Sequence, residues 1–286
     1  MLVACVVGLK GAVFLERLLT AGVRPVKVVT YEQRDDASRS WERIKEIAAS
    51  AGVETLFDRR PDVSGAELIY VVGWQYLMED TGPHVVVFHD SLLPRYRGFA
   101  PTVAALINGD DEIGVTALQP RSDVDSGPVF GQASIEVRHP MAIAAALEAQ
   151  ASLMADLAVD LHARWREGRL SATPQDERQA SYSIWRDEQD YRIDWSQSAQ
   201  ALERFVYAVG TPYGGARARA GDREIIIDRA SAVEDLPFVA RHSGKIWSLN
   251  DGAPLVICGE GMLRLDACRT PNGEPFAFSR VRVRLS

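Results

Sequence analysis

Residues 85–101 read VVVFHDSLLPRYRGFAP. The run into His89 is continuously apolar, the pattern of a strand covered on both faces in a parallel sheet rather than of a half-exposed one. His89 then emerges at the carboxyl end, the edge where open α/β sheets place their ligands. The SLLPRYRG that follows cannot extend the strand or start a helix, because Pro94 lacks the ladder donor and Gly98 frees the backbone. It predicts a loop wrapped around a pocket at the strand tip.

Outward from this stretch the chain alternates short apolar runs with segments of helical period: LVACVV, AVFLERLLTAG, VKVVTY, SWERIKEIAASAG, AELIYVV, then PTVAALING and GVTALQ beyond the loop. That alternation predicts an α/β domain with a doubly wound, mostly parallel sheet. From Pro140 to Gly168 one long covering helix is expected, with Ile143, Leu147, Ala151, Met154, Leu161 and Trp165 on one face. After Gly168 the composition turns polar and loses its period. We expect a domain over 1–170, a connector over 171–195 and a second domain over 196–286. The last should open on a short helix capped by Ser196, with Ala199, Leu202, Phe205, Val206 and Val209 inward. Strands joined by turns at 220–222, 250–252 and 259–261 follow, which predicts a small β-barrel.

Composition narrows the function classes. The 286 residues are 47% hydrophobic and 25% charged, which excludes disorder, and the net charge of −7 comes without a dense lysine/arginine block. Nucleic acid, tRNA included, is therefore not the expected partner. The opening MLVACVVGLK has no basic segment before it and is too short to span a bilayer, so it reads as a first core strand of a cytoplasmic protein. Cys5, Cys258 and Cys268 are widely spread with no metal-ligand spacing, as expected of buried thiols in a reducing compartment, and no metal is expected. CVVGLKGAVFLERLL followed by VKVVTYE imitates a dinucleotide-binding unit, but only Gly8 and Gly11 are present, so a tight strand-to-helix turn is the reading and NAD is not expected.

The chemistry concentrates on few residues. GVTALQ should be a strand whose exit, PRSDVDSGPVF, leaves Asp125 at the same carboxyl edge as His89. A carboxylate beside an imidazole orients the ring, fixes its tautomer and supports its charged form, which makes a proton-handling pair. Trp74 and Gln75 follow the strand AELIYVV and belong to that edge, where Trp74 can wall a pocket. Arg97 suits a phosphate or carboxylate, or else backbone carbonyls of its own loop. Tyr182, Trp185 and Arg186 in the connector can stack a base and hold a phosphate, or simply pin the connector. His84, His139, His162 and His242 read as structural.

HDSLLPRYRGFAPTVAALINGDDEIGVTAL followed by DVDSGPV resembles the folate-dependent formyltransferases, whose core pattern is N-x-H-x-S-L-L-P-x-x-R-G and then Asp-x-Gly. The stretch YSIWRDEQDYRIDWSQSAQALERFVYAVGTPYGGARARAGDREIIIDRA is similar to the connector and C-terminal domain of the methionyl-tRNA and amino-sugar branches. The resemblance implies a Rossmann-like formyltransferase domain, an OB-like C-terminal barrel and 10-formyltetrahydrofolate as formyl donor. It puts His89 and Asp125 in the catalytic roles, with Trp74, Gln75, Leu92, Leu93, Pro94, Arg97, Gly98 and Asp123 about the folate.

The match fails at one position: the family's asparagine is Val87 here. That amide donates to the developing oxyanion, and losing such a donor typically costs about 10²–10³ in rate. Gln75, Asn108 or a backbone N–H of the 89–93 turn are the replacements the sequence offers. The expected acceptor is a small primary amine, foremost that of a nucleotide-linked amino sugar. Methionyl-tRNA, another acyl donor, formyl-folate hydrolysis and a non-catalytic binding module stay open. A homodimer through free barrel edges is a further expectation.

Overall fold

The computed structural model describes residues 1–33, 39–76 and 85–286; His84 lies outside them. The chain forms two compact units, one of Met1–Pro101, Glu112–Glu136 and Leu147–Ile184, the other of Thr102–Asp111, Val137–Ala146 and Trp185–Ser286. In chain order the elements to Arg166 are β1 (Leu2–Val6), α1 (Gly8–Thr20), β2 (Lys27–Thr30), α2 (Ser40–Ser50), β3 (Glu54–Phe57), β4 (Leu68–Val72), β5 (Val85–His89), β6 (Arg97–Gly98), α3 (Pro101–Asn108), β7 (Glu112–Leu118), β8 (Val129–Glu136) and α4 (Ile143–Arg166).

The first unit is built on a seven-stranded Rossmann-like sheet in the order β3-β2-β1-β4-β5-β7-β8. β3 through β5 run parallel. Chain order reverses at β1, which has β2 on one side and β4 on the other, so the carboxyl ends of β1 and β4 flank the crevice where such sheets bind ligands. The larger core lies on one face, where Phe14, Leu15 and Leu18 of α1, Ile44 of α2 and Met154, Ala158 and Leu161 of α4 meet Val28, Tyr70, Val86 and Phe88 of the strands. The face of α4 matches its sequence period, from Ile143 to Leu161. The other sheet face carries a smaller cluster of Val3, Cys5, Val29, Ile69, Val71 and Val85, with Trp74 and Val87 packed against it.

β7 differs from the sequence expectation: it pairs with β5 antiparallel, with Val87 opposite Leu118 and His89 opposite Thr116. A parallel return needs a crossover helix laid back on the sheet. α3 is the only described helix between these strands, and from Thr102 onward it belongs to the second unit instead.

The second unit contains α5 (Ala199–Ala208) and β10 (Ala216–Ala220), β11 (Arg223–Val233), β12 (Ile246–Asn250), β13 (Ala253–Ile257) and β14 (Met262–Arg269); β9 (Tyr182–Ser183) lies just before it, in the first. Its antiparallel sheet runs β10-β11-β14-β13-β12. The three sequence-marked turns are all present, with Gly221, Asp251, Gly252 and Gly261 at positive φ. α5 is capped by Ser198, whose hydroxyl accepts from Ala201 N at 3.2 Å, and not by Ser196, which is bonded to Asp194. The final residues join both sheet edges: Ser286 exchanges backbone bonds with Arg219 of β10, and Val283 and Leu285 bond Ile246 and Gly244 at the start of β12. These bonds cover one end of each edge strand.

Candidate active site

His89 is the last residue of β5 and nearly buried, its side chain 10% exposed. Its Nε2 lies 2.9 Å from the Tyr96 carbonyl. A carbonyl only accepts, so Nε2 carries a proton and, in the neutral ring, Nδ1 is the free base nitrogen. Nδ1 faces Asp125 Oδ2 at 3.5 Å, within ion-pair range but too long for a good hydrogen bond. The predicted pair is thus assembled, by a route the sequence did not indicate. The carboxyl end of antiparallel β7 leads away from the His89 tip, and the loop 119–128 folds back to bring Asp125 to it.

Asp125 is held in the left-handed region at φ 49, and its Oδ2 accepts from Gly98 N at 2.8 Å. Gly98 has φ 103, and a Cβ there would fall 2.4 Å from the Ser183 carbonyl, so only glycine brings this backbone between Asp125 and β9. The loop before it is knitted to the sheet. Ser91 Oγ donates to the Arg95 carbonyl at 2.7 Å, and the Thr116 hydroxyl donates to the Ser91 carbonyl at 2.6 Å while accepting from Leu93 N at 3.0 Å. Gln132 Nε2 donates to the Leu93 carbonyl and to Thr116 Oγ1, each at 2.8 Å. Beyond the histidine, Asp90 pairs with Lys10 of α1, and Gln150 Nε2 donates to the Asp90 carbonyl.

Other sequence candidates fall differently. Arg97 is 2% exposed, and its guanidinium is engaged by Glu177 Oε1 and Oε2 at 2.8 and 2.7 Å and by Gln175 Oε1 at 2.8 Å. It is an internal strut with its guanidinium already engaged; the Glu177 carboxylate beside it raises its pKa further, while Arg97 in turn holds Glu177 below the usual carboxylate range. Asp123 is exposed, with its carbonyl accepting from Ser126, and so shapes the turn that presents Asp125. Leu93 is buried, while Leu92 and Pro94 are half-buried in the loop. Tyr182 in β9 is 68% exposed beside Arg97. Asn108, Trp185 and Arg186 belong to the second unit; Asn108 donates to Asp110 at 2.7 Å and Arg186 to the Asp190 carbonyl at 3.3 Å.

At the neighbouring strand tip Gln75 is exposed, while Trp74 packs with Val87 on the smaller core. Trp74 Nε1 is enclosed and has no hydrogen-bond partner among the described residues. The residues sequence reading missed are Gln175 and Glu177 in the connector and Thr116 and Gln132 in the strands. An isolated polar residue in a polar connector or on a strand carries no local signal of such a role. Among the described residues no cluster fits a metal ion, and burial pushes the thiols of Cys5, Cys258 and Cys268 up to about 12.

The first unit is thus a Rossmann-like sheet whose β5 histidine meets a carboxylate from a folded-back loop, and a second unit with an antiparallel sheet makes this a two-part α/β protein. The formyl transferase model matches residues 3–154 and the formyl transferase C-terminal domain model residues 186–281, so the chain belongs to the formyl transferase family. Among solved structures it is similar to the N-formyltransferase of Helicobacter canadensis in complex with folinic acid and dTDP-3-aminofucose, at 13% identity and TM-score 0.71, covering 96% of this chain and 99% of that one. HypX from Aquifex aeolicus in complex with tetrahydrofolic acid matches at 18% identity and TM-score 0.65, covering 97% of this chain and 45% of that one. The chain thus spans about half the length of HypX. Methionyl-tRNA formyltransferase from Clostridium thermocellum matches at 15% identity and TM-score 0.57, covering 80% and 92%.

Proposed function

We propose that this protein transfers a formyl group from 10-formyltetrahydrofolate to a small primary amine, carried on a nucleotide-linked sugar. The observation that carries the reading is the His89 ring, fixed through Nε2 by the Tyr96 carbonyl with Nδ1 turned to Asp125. That arrangement suits a base which takes the proton of an attacking amine at Nδ1 and is then stabilised as imidazolium by the carboxylate it faces. Asp125 acts by neutralising the ring once it is charged, while the Tyr96 carbonyl holds it. Bound 10-formyltetrahydrofolate supplies the formyl carbon and a nitrogen leaving group. The enclosed, unpartnered Trp74 Nε1 fits a ligand with acceptor atoms at the β4 tip, because a buried donor without a partner is costly until one arrives.

Val87 offers no donor to the formyl oxygen. Of the replacements the sequence offers, Gln75 is exposed and Asn108 is engaged by Asp110 in the other unit. We assign that role to the Trp74 N–H, because Trp74 stands at the neighbouring strand tip and packs against the same cluster as Val87. The sugar acceptor is favoured over tRNA by the net charge of −7 and by near-complete mutual coverage with the Helicobacter canadensis enzyme, which binds a nucleotide-linked amino sugar.

The test is tetrahydrofolate release from 10-formyltetrahydrofolate with a panel of nucleotide-linked amino sugars. We expect amine-dependent turnover that falls about 10²–10⁴-fold in His89→Ala. Release without amine would point to hydrolysis, and turnover indifferent to His89 would remove the mechanism.

A further inference from the structure

We propose that Gln175, in the connector, is a positioning residue for the His89–Asp125 pair, so that the connector is part of the active site. The proposal rests on the reading of that pair as the reacting groups. Both ends of the Gln175 amide are in use. Its Nε2 donates to the carbonyls of Asp125 at 2.7 Å and Gly127 at 2.8 Å, which bracket Ser126 and fix the turn on which the carboxylate sits. Its Oε1 accepts from Arg97 Nε at 3.2 Å and Nη2 at 2.8 Å.

Arg97 immediately precedes Gly98, whose N–H holds the Asp125 carboxylate. One side chain thus spans the backbone of Asp125 and the segment that grips its carboxylate, and it fixes the distance between them. Glu177 locks the far side of Arg97 with two bonds, and Thr173 anchors the connector upstream through a reciprocal backbone pair with Val129, both at 2.8 Å.

The turn needs such a tie. Asp125 is in the left-handed region, and Gly127 passes so close to the Gln119 carbonyl that a Cβ would lie 1.6 Å from it. A non-glycine residue stays in that conformation only where its surroundings over-determine it. A shift of the turn moves Oδ2 away from His89 Nδ1, and misplacements on the order of 1 Å cost about 10²-fold in rate. The charged and polar groups that face the ring are Asp125 from the 119–128 loop and the Tyr96 carbonyl from its own loop; the Asp90–Lys10 pair lies next along the chain.

The experiment compares Gln175→Glu, Gln175→Met and Asp125→Asn with wild type, using folded protein checked by circular dichroism. Gln175→Glu keeps an acceptor for Arg97 and replaces the amide donor with a charged oxygen that the Asp125 and Gly127 carbonyls repel, whereas Gln175→Met removes both bonds without adding charge. We expect kcat to fall about 10–100-fold in both Gln175 variants, with KM for donor and amine within about twofold. We also expect the ¹⁵N shift of His89 Nδ1 to move toward its value in Asp125→Asn. An unchanged kcat and Nδ1 shift in folded Gln175→Glu would overturn the proposal. So would a lower kcat with an unchanged Nδ1 shift, which is the mark of a merely structural residue. The Nδ1 shift needs no turnover, so it decides the positioning role even if wild type transfers no formyl group, an outcome that would count against the proposed function alone.

Discussion

Two strand tips of one sheet differ in how their polar groups are used. At the β5 tip nearly every polar group has a partner: His89 Nε2 bonds the Tyr96 carbonyl, Thr116 bonds both Ser91 and Leu93, and Gln132 bonds Leu93 and Thr116. At the β4 tip the opposite holds. Gln75 is exposed, and Trp74 Nε1 is enclosed without a partner among the described residues. Proton transfer depends on fixed geometry, so a residue that performs it is surrounded by groups that satisfy one another. A ligand needs donors that have been left for it, so a binding edge carries polar atoms the protein itself does not satisfy. On the proposed function, the contrast puts proton handling at β5 and a donor for the bound formyl group at β4.

The sharpest break of that contrast is at Trp74. Trp74→Phe keeps an aromatic ring against the smaller core and removes the N–H, and kcat is expected to fall about 10²-fold. Val87→Asn added to it, restoring an amide where the family has one, should recover most of the loss in the same formyl-transfer assay. No recovery, with Val87→Asn alone silent, would separate Trp74 from the formyl oxygen.

Thr116→Val tests the knitted side. The substitution is nearly isosteric but leaves the Leu93 N–H and the Ser91 carbonyl buried without their partner. A stability loss of about 2–3 kcal/mol in urea unfolding is expected, since each such buried group costs about 1–3 kcal/mol. An equal change at the exposed Gln75, for instance Gln75→Ala, should be within about 0.5 kcal/mol.

The smallest effect is one of pH. The Arg97 guanidinium holds Glu177 below the usual carboxylate range, so its folded value lies under its unfolded one. The contribution of this pair to stability is therefore complete above the ordinary carboxylate range and is lost as pH falls through the lowered value. Glu177 is largely exposed, so the effect on the whole fold is small and falls on the connector. Limited proteolysis within residues 173–183 should quicken in acid in wild type. Glu177→Gln should show the quicker cleavage already at neutral pH, and the β4 tip should be indifferent to both.

Much of this was legible in the chain. The apolar run into His89, the Pro94 and Gly98 punctuation, the period of α4 and the three hairpin turns are local patterns, and local patterns survive being read one residue at a time. The resemblance to formyltransferases rests likewise on contiguous stretches, HDSLLPRYRG, DVDSGPV and the run from Tyr182 to Ala230, each legible in order along the chain. The helix cap was misplaced by two residues because Ser196 and Ser198 are chemically equal candidates, and only backbone geometry chose Ser198.

By itself, then, the sequence determined the α/β class, the strand that ends at His89, the choice of that histidine and Asp125 as candidates and the absence of an amide at Val87. Tertiary structure decided what depends on distant segments meeting. It turned β7 antiparallel and made a folded-back loop deliver Asp125, it drew Arg97 inward onto Gln175 and Glu177, and it enclosed Trp74 Nε1 without a partner among the described residues. The physical reason is that apolar periodicity and turn chemistry act over a few residues and are written in order along the chain. The partner of a buried polar group is chosen instead by which segments fold together, here about eighty residues apart between Arg97 and Glu177.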